Sequence, residues 1–317
     1  MTHHTVAEGW PALKVADWEP TRDTLHMWTQ IVGKVRLAHA PLVNHWWQVP
    51  LYVSARGLTT SAIPYRDQIF DIEFDFVDHR LRLRTGSGDS REIALEPKPV
   101  ATFYAETMDA LAELGIPTRI QPHPNEVEEA IPFAEDTRHR AYDGEAARLF
   151  WRQLVQADRV THEFRASFVG KVSPVHFFWG AFDLACTRFS GRRAPTYQGA
   201  APNVGTWVMQ EGYSHELSSC GFWPGGSAEG TFYSYAYPEP EGFADYPVRP
   251  EQAFYSRELG EFLLPYEVVR TSDDPDQVLM EFLRSTYAAA ADLGKWDRAA
   301  LEIDPHRWAE HATVGGR

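Results

Sequence analysis

Residues 173 to 192, SPVHFFWGAFDLACTRFSGR, carry a histidine, an aspartate, a cysteine and an arginine in a run that otherwise has the composition of a buried strand. Because side chains two residues apart share a face of a β-strand, Asp183 is expected beside aromatic and small side chains. Burial there raises the pKa of a carboxyl group and suits it to acid–base catalysis. The sequence therefore predicts Asp183 as a catalytic acid or base. The structural alternative is a buried ion pair with Arg56 or Arg188.

A second strand, predicted earlier in the chain, offers a similar face. Trp46, Gln48, Tyr52 and Arg56 alternate along it. If the two faces meet, they enclose a cavity with aromatic walls, in which an arginine holds an anionic group of the ligand. The side chains predicted to bind this ligand are Trp46, Trp47, Gln48, Tyr52, Arg56, Trp179, Arg188, Ser218, Cys220 and Trp223.

The segment YSHELSSCGFWPGG, residues 213 to 226, supplies further candidates. Glu216, Ser218 and Cys220 share one face of the predicted strand, and its small hydroxyl side chains indicate close approach of a ligand or of another backbone. A glutamate is costly to bury without a partner, so Glu216 either pairs with a cation or faces a wet cavity. We predict it as the second catalytic carboxylate. A Cys220 nucleophile is disfavoured, because His215 points to the opposite face.

Metal binding is a further alternative, and the sequence assigns no metal. His45, His176, His215 and Glu216 are ligand types that zinc and related ions use, but none lies in a recognised metal-binding spacing. The chain has no GxGxxG after a strand, no P-loop, no CxxC pair and no GxSxG elbow. The usual designs of dinucleotide oxidoreductases, nucleoside triphosphatases and serine hydrolases are therefore disfavoured, and no cofactor is assigned.

The composition is that of a soluble globular protein, with 44% hydrophobic and 23% charged residues. A net charge of −14 disfavours nucleic acid as a partner, and the basic run RLRLR (80–84) is predicted as the solvated face of a strand. The chain has neither a run of about 18 apolar residues nor the N-terminal pattern of a secretion signal, so no membrane partner is expected. Two cysteines, Cys186 and Cys220, favour a reducing, cytoplasmic location. The oligomeric state is left open.

The hydrophobic pattern divides the chain into two similar halves joined by a proline-rich acidic connection, and it predicts the units 1–120, 121–144 and 145–317. In the first half, helices predicted at 21–39 and 100–115 flank strands at 45–61, 69–76, 80–86 and 92–97. In the second, helices at 145–164 and 274–294 flank strands at 175–189, 213–223, 231–238 and 261–266. Pro20 is expected before the first helix, Gly115 after the second, and Asp274 with Pro275 at the start of the last.

Several identities coincide when the halves are aligned. MWTQIV aligns with FWRQLV, NHWWQVPLYVSA aligns with VHFFWGAFDLAC, and residues 103–115 align with 282–294 without a gap. The second alignment pairs His45 with His176. The sequence therefore predicts an α+β fold made by tandem duplication of a helix, a four-stranded antiparallel sheet and a helix, related by a pseudo-two-fold axis. By analogy with helix-grip and TATA-binding-protein-like (TBP-like) modules, such a fold encloses a cavity. Chance similarity between two α+β domains is the alternative.

The strings NHWWQVPLYVSARGLTTS, GKVSPVHFFWGAFDL, TRFSGRRAP and YSHELSSCGFWPGG resemble an uncharacterised bacterial family, DUF5996. The resemblance spans almost the whole chain, from the first helix to WDRAALE. It implies a bacterial, cytoplasmic protein. It carries over no catalytic residue, because the family has no activity to transfer.

These observations predict a small-molecule enzyme with an aromatic-walled cavity between the two halves and with Asp183 or Glu216 as the acid–base group. Three alternatives stay open: a non-catalytic protein that binds a small molecule in the same cavity, a metal-dependent enzyme that uses the histidines with Glu216, and an interaction module whose aromatic runs are only core.

Overall fold

The computed structural model describes residues 9–303. This part of the chain contains seven α-helices: α1 (Val15–His39), α2 (Val100–Glu113), α3 (Gly144–Ala166), α4 (Thr206–Gly212), α5 (Tyr266–Arg270), α6 (Pro275–Leu293) and α7 (Arg298–Leu301). Three short 3-10 helices lie at Asn44–Trp46, Phe133–Glu135 and Phe243–Asp245. The long helices α1, α3 and α6 contribute most of the buried helical residues.

The strands of the described residues form two antiparallel sheets of six strands each, where the sequence predicted four. The first sheet contains β1 (Tyr52–Val53), β2 (Gly57–Thr59), β3 (Ile63–Tyr65), β4 (Gln68–Asp75), β5 (Arg80–Thr85) and β6 (Ser90–Ala94), in the order β1-β2-β4-β5-β6 with β3 also paired to β4. The second contains β7 (His176–Phe178), β8 (Asp183–Arg193), β9 (His215–Trp223), β10 (Thr231–Tyr237), β11 (Phe254–Ser256) and β12 (Glu261–Pro265), in the order β7-β8-β9-β10-β12-β11. The predicted α+β class is confirmed.

The two sheets meet edge to edge at one pair of residues. Leu51, directly before β1, and Phe177 of β7 exchange backbone hydrogen bonds of 2.9 and 2.7 Å. One hydrophobic cluster runs through both halves of the chain. Helix α3 packs against β1 and β2 of the first sheet and against β8 and β9 of the second. Because the halves share this core, each one helps to position side chains of the other.

Helix ends agree with two predicted caps and differ from a third. The Asp274 side chain accepts a hydrogen bond from the backbone N–H of Gln277 at 3.1 Å and caps α6. Gly115 follows α2 in the left-handed conformation, with φ of 75°. Helix α1, however, begins at Val15, so Pro20 lies inside it. Its missing N–H costs the helix one hydrogen bond.

Both predicted strands that begin with an aromatic run are interrupted by turns. The first starts with a 3-10 helix in which His45 and Trp46 have positive φ, and regular pairing begins only at Tyr52. In the second half the chain turns between β7 and β8, where Phe182 has a φ of 61°. His45 therefore lies outside the sheet while His176 opens β7, so the two histidines are not at equivalent positions. A period of two residues does not reveal a tight turn made by non-glycine residues.

The arginines of the run 80–84 alternate along β5 as predicted, and carboxylates neutralise Arg82 and Arg84. Arg82 pairs with Asp75 at 3.0 Å and with Asp78 at 2.7 Å, and Arg84 pairs with Asp71 at 2.8 Å. These partners come from β4 and from the turn that follows it. The basic run is thus half of a network of ion pairs on an open sheet face.

Among the helices of residues 9–303, none is long and apolar enough to cross a membrane.

Candidate functional site

A cleft of two adjoining chambers runs across one face of the second sheet. The first chamber has a volume of about 320 Å³ and the second of about 530 Å³. Glu126, Asp183, Tyr213, Tyr233 and Tyr235 line both chambers, so the two chambers adjoin at these residues. The opposite face of the sheet packs against α3 and α6.

Segments from outside the second sheet close the cleft. His26 of α1 lines the second chamber, and Trp46, Trp47 and Val49 line the first. Glu126 comes from the connection between the halves, and Val208 comes from α4. Both halves of the chain therefore contribute to the cleft, although its floor belongs to the second sheet.

Asp183 is the first residue of β8 and is exposed by only 8%. The Tyr233 hydroxyl donates a hydrogen bond to its Oδ2 atom. Gly221 makes this contact possible, because a Cβ at that position would lie 2.5 Å from the Tyr233 hydroxyl oxygen. Burial raises the pKa of Asp183 to about 6, against the opposing effect of the Tyr233 hydrogen bond. A carboxyl group with this pKa can exchange protons with a ligand at neutral pH.

Glu126 reaches the cleft from the connection. Its Oε1 atom lies so close to Gly180 that an added Cβ there would come within 2.1 Å of it. The backbone around it is fixed, because Glu126 N–H donates to the Pro202 carbonyl at 2.7 Å and Asn125 N–H donates to the buried Gln30 Oε1 at 2.8 Å. The side chain is accessible from the cleft. Desolvation by the surrounding protein and, to a lesser degree, the charge of Asp183 raise the pKa of Glu126 to about 7.

Glu261 supplies a third carboxyl group and three tyrosines surround the acids. Burial, followed by the charge of Asp183, raises the pKa of Glu261 to about 7. The hydroxyl groups of Tyr213 and Tyr235 are 3.0 Å apart. Burial raises the pKa of Tyr235 to about 12, so this phenol keeps its proton at neutral pH. The centre of the cleft therefore combines three acids with phenolic hydroxyl groups.

Tryptophan side chains form much of the walls. Of the predicted ligand-binding residues, Trp46, Trp47 and Trp179 line the first chamber and Trp223 lines the second. The Trp46 indole N–H donates to the Val208 carbonyl of α4 at 3.0 Å, and the Trp179 indole N–H donates to the Val49 carbonyl at 2.9 Å. These bonds fix the rings and leave their apolar surfaces for a ligand.

The predicted arginines lie away from the cleft. Arg56 pairs with Asp75 and Asp78 at 2.5 and 2.6 Å on the first sheet. Arg188 is buried on the helix side of the second sheet, with its guanidinium carbon 3.5 Å from the centre of the Phe164 ring. Within residues 9–303, neither arginine forms an ion pair with Asp183, so the structural alternative for Asp183 is not realised.

Gln48 and Tyr52 also lie outside the cleft. The Gln48 Oε1 atom accepts a hydrogen bond from the backbone N–H of Val43 at 3.0 Å. The Tyr52 ring lies 5.1 Å from the guanidinium carbon of Arg36. The turn at residues 44–46 removes both side chains from the predicted common face.

Strand β9 presents its other face to the cleft. Leu217 and Ser219 line the first chamber, whereas Ser218 and Cys220 are buried on the helix side. Burial raises the pKa of Cys220 well above that of a free thiol, which argues against a nucleophilic role. Glu216, the second predicted catalytic carboxylate, shares the face of these two residues, lines neither chamber and pairs with Arg192 at 2.6 Å. The alternation of side chains assigns residues to two faces of a strand but does not indicate which face lines a cavity.

The residues considered as metal ligands are not gathered in one place. The His45 and His215 rings are 5.7 Å apart, and Lys171 Nζ lies 2.5 Å from His45 Nε2. His176 is fully buried beside Phe178, and burial lowers its pKa to about 3. Throughout the described chain, no three His, Cys, Asp or Glu side chains are arranged so that they could hold a metal ion.

Two of the acids and the three tyrosines around them were not found from the sequence: Glu126, Glu261, Tyr213, Tyr233 and Tyr235. The alternating tyrosines of TFYSYAY carried a usable signal, because they place phenol groups on one face of a strand. Glu126 carried none, since it lies in a segment without periodicity.

Comparison with protein families shows that the model of a family of unknown function, DUF5996, matches residues 10–303. The match includes every residue that lines the cleft. Neither the curated proteins nor the solved structures give a significant match.

Proposed function

The chain belongs to the DUF5996 family, and we propose that it is a small-molecule enzyme in which Asp183 performs acid–base chemistry inside the cleft. The observation that carries this proposal is the position of Asp183. It is buried where the two chambers join, a tyrosine hydroxyl donates to it, and its pKa is about 6. Such groups concentrate at catalytic sites.

The ionised Asp183 carboxylate accepts a proton from the bound molecule and returns it to another atom of that molecule. Tyr233 orients the carboxylate and stabilises its ionised form through its hydrogen bond. Glu126 and Glu261 have pKa values of about 7, so both are partly protonated at neutral pH and can supply or take up a proton. The tryptophan walls exclude water around the reacting group.

The test compares wild type with Asp183→Asn, a change of nearly constant shape. Both proteins are incubated with a bacterial metabolite extract, and mass spectrometry follows the loss of each compound. We expect a compound that wild type consumes and Asp183→Asn does not, with Glu216→Gln as the control that behaves like wild type. Equal consumption by wild type and Asp183→Asn would remove Asp183 from the chemistry. Denaturant unfolding verifies that both variants are folded.

The second candidate is a non-catalytic protein that binds a small molecule in the same cleft. It is favoured by the first chamber, whose walls of tryptophan and other apolar side chains can hold an apolar ligand without taking part in chemistry. Native mass spectrometry distinguishes the two functions. If wild type and Asp183→Asn both retain a bound ligand that is chemically unchanged, the result supports binding without catalysis.

We also infer that the two halves arose by tandem duplication into pseudo-symmetric units of the helix-grip or TBP-like kind. The strand orders β1-β2-β4-β5-β6 and β7-β8-β9-β10-β12 run outward from the shared edge in the same sequence, with a long helix before and after each. The buried Gln30 and Gln153, in α1 and α3, each donate to a backbone carbonyl outside their helix. Superposition of residues 15–116 on 144–296 tests this, and an overlay that fails to place β2 on β8 would reject it.

The ends of α2 and α6 support the same inference with a register shifted by one residue from the sequence alignment. Ile116 N–H donates to the Leu111 carbonyl and Trp296 N–H donates to the Ala291 carbonyl, both at 2.8 Å. The left-handed position is Gly115 in one case and Lys295 in the other.

The cytoplasmic location, the bacterial source and the lack of nucleic-acid partners stay predictions from the sequence.

A further inference from the structure

The acids of the cleft lack a neutralising cation. Glu126, Asp183 and Glu261 all line the second chamber, and within residues 9–303 none of them forms an ion pair with a lysine or an arginine. The one arginine that lines the chamber, Arg22, is paired with Glu19 and Asp23 at 3.2 and 2.9 Å. A cavity with three acids and no spare cation has a negative potential that a positively charged ligand would neutralise.

A second cation near the cleft is also engaged elsewhere. The buried Lys34 donates to the Asn125 side-chain oxygen, and burial lowers its pKa to about 8. Its ammonium group lies 5.6 Å from the centre of the Trp179 ring. Lys34 therefore supports the connection that carries Glu126 and forms no ion pair with the acids of the cleft in the described part of the chain.

Thr231 gives an independent sign of an absent partner. It lines the second chamber and is exposed by only 3%. Its Oγ1 atom is buried and has no hydrogen-bond partner among the described residues. Buried hydroxyl groups are almost always hydrogen-bonded, so Thr231 borders the chamber with an unused hydrogen-bonding group.

The acids are arranged for an extended organic cation rather than for a compact metal ion. No three acidic, histidine or cysteine side chains of the described residues come together closely enough to hold a metal. The first chamber, which Asp183 and Glu126 border, is walled mainly by apolar groups such as Trp46, Phe178 and Phe189. A ligand that fills both regions has a positive charge at one end and an apolar body at the other.

We propose that the cleft binds a protonated organic amine, with its ammonium group between Glu126 and Asp183 and its apolar body among the tryptophans of the first chamber. This inference rests on the proposed function in that it assigns a class of ligand to the same site. The tyrosine hydroxyl oxygens around the acids accept hydrogen bonds from the ammonium group, and the aromatic faces attract its positive charge.

Proton release provides a signature of such binding. Glu126 and Glu261 hold protons for part of the time at pH 7, because their pKa values are about 7. An ammonium group stabilises the ionised carboxylates and expels these protons. We therefore expect the affinity for an amine to increase as the pH rises from 5 to 8, and an anionic ligand to show the opposite trend.

The experiment uses three probes with one skeleton: tryptamine, the neutral alcohol tryptophol and the anion indole-3-propionate. Isothermal titration calorimetry at pH 8 measures each Kd for the full-length protein. We expect tryptamine to bind at least tenfold more tightly than indole-3-propionate. Glu126→Gln should weaken tryptamine at least fivefold and leave tryptophol unchanged, while the control Glu216→Gln changes neither. Titrations in two buffers of different ionisation enthalpy at pH 7 count the released protons.

Equal affinities of tryptamine and indole-3-propionate, no binding of any probe at millimolar concentration, or no effect of Glu126→Gln would overturn the amine assignment. The metabolite experiment keeps this failure separate from that of the proposed function. If Asp183→Asn abolishes turnover of a substrate without an amine, the enzyme proposal stands and the amine inference falls. If tryptamine binds as expected and no compound is turned over, the amine inference stands and catalysis falls.

Discussion

At the scale of single residues, the three carboxyl groups of the cleft make stability depend on pH. Asp183, Glu126 and Glu261 have pKa values of about 6, 7 and 7 in the folded protein, each above the value of the unfolded chain. The folded state therefore binds these protons more tightly than the unfolded state does. Their contribution to stability is fully present below about pH 4 and is lost as the pH rises from there through about 6 to 7.

Glu261→Gln should reduce the loss of stability that accompanies the rise in pH. The variant keeps the shape of the side chain and has no charge to desolvate, so we expect its free energy of unfolding to exceed that of wild type by about 1 kcal/mol at pH 8. At pH 3.5 the difference should vanish, because Glu261 is then neutral in both the folded and the unfolded state. Urea denaturation at the two pH values measures this difference.

The matched control is Glu258→Gln, an exposed glutamate in the turn between β11 and β12. It removes the same charge from the same hairpin without relief of burial and should leave stability within about 0.5 kcal/mol of wild type. An equal gain in both variants would show that overall charge, and not the burial of Glu261, is responsible.

The residue scale also shows what alternation can and cannot predict. Asp183 was found because a carboxyl two residues from small apolar neighbours stands out in a strand. Glu126 was not, because its position depends on contacts between distant segments: its carboxylate rests on Gly180, and Pro202 holds its backbone. The wall residues Trp46 and Trp179 lie at the cleft, yet the turns in their segments had not been expected.

At the scale of elements, the close approach of β8, β9 and β10 places Tyr233 over Asp183. Gly221 lies in the middle strand, and a Cβ there would come within 2.0 Å of the Leu184 carbonyl oxygen. A backbone carbonyl cannot move aside as a flexible side chain would, so a Cβ at Gly221 would force β8 and β9 apart.

Gly221→Ala should therefore lower the free energy of unfolding by about 2–3 kcal/mol. Gly212→Ala is the control, because a Cβ at Gly212 meets no atom within 4 Å. Denaturant titration of both variants measures the effect. If Gly221→Ala were as stable as Gly212→Ala, the strand spacing around Tyr233 would be looser than the structure shows.

Helix α4 is the least anchored element around the cleft. None of its residues is buried, and Trp207 is 60% exposed. It is held by bonds such as that from Trp46 to Val208 and that from the His45 backbone to Glu211. Opening of this helix would widen the first chamber.

We expect the backbone amides of α4 to exchange with deuterium at least a hundredfold faster than those of β9, because local opening there exposes little apolar surface. Hydrogen-exchange mass spectrometry of residues 206–212 and 215–223 makes the comparison. Equal protection of the two segments would show that α4 opens only with the whole molecule and does not act as a cover.

Elements with a cap or a clean alternation were predictable from the sequence, and elements that bend were not. Asp274 and Gly115 mark helix ends through specific side-chain and backbone chemistry. By contrast, His45 and Phe182 adopt positive φ although neither is glycine, and no local sequence pattern predicts this. The two interruptions separate the aromatic runs from the strands they were assigned to.

At the scale of the whole molecule, the α+β class and two antiparallel sheets could be inferred from the order of periodic segments. The union of the sheets could not, because it depends on a single backbone pairing between Leu51 and Phe177 and on the packing of α3 against both sheets. Neither leaves a mark in local periodicity. This union brings the connection and α1 over the face of the second sheet and so completes the cleft.

A shared core predicts that the two halves unfold together. Phe177 is fully buried at the junction, with its ring 5.1 Å from that of Phe182 and 6.3 Å from that of Phe150 in α3. Phe177→Ala should cost about 3–5 kcal/mol. The loss should shift one transition that tryptophan fluorescence and far-ultraviolet circular dichroism report at the same denaturant concentration.

Phe254→Ala is the control for the loss of an aromatic ring, since Phe254 is 50% exposed in the edge strand β11 and should cost less than about 1 kcal/mol. Two separate transitions in Phe177→Ala, with one sheet unfolding while the other persists, would show that the halves are independent domains in contact. In that case the cleft would open whenever the junction does, and ligand binding would stabilise the junction. A single transition instead means that the cleft is as stable as the core beneath it.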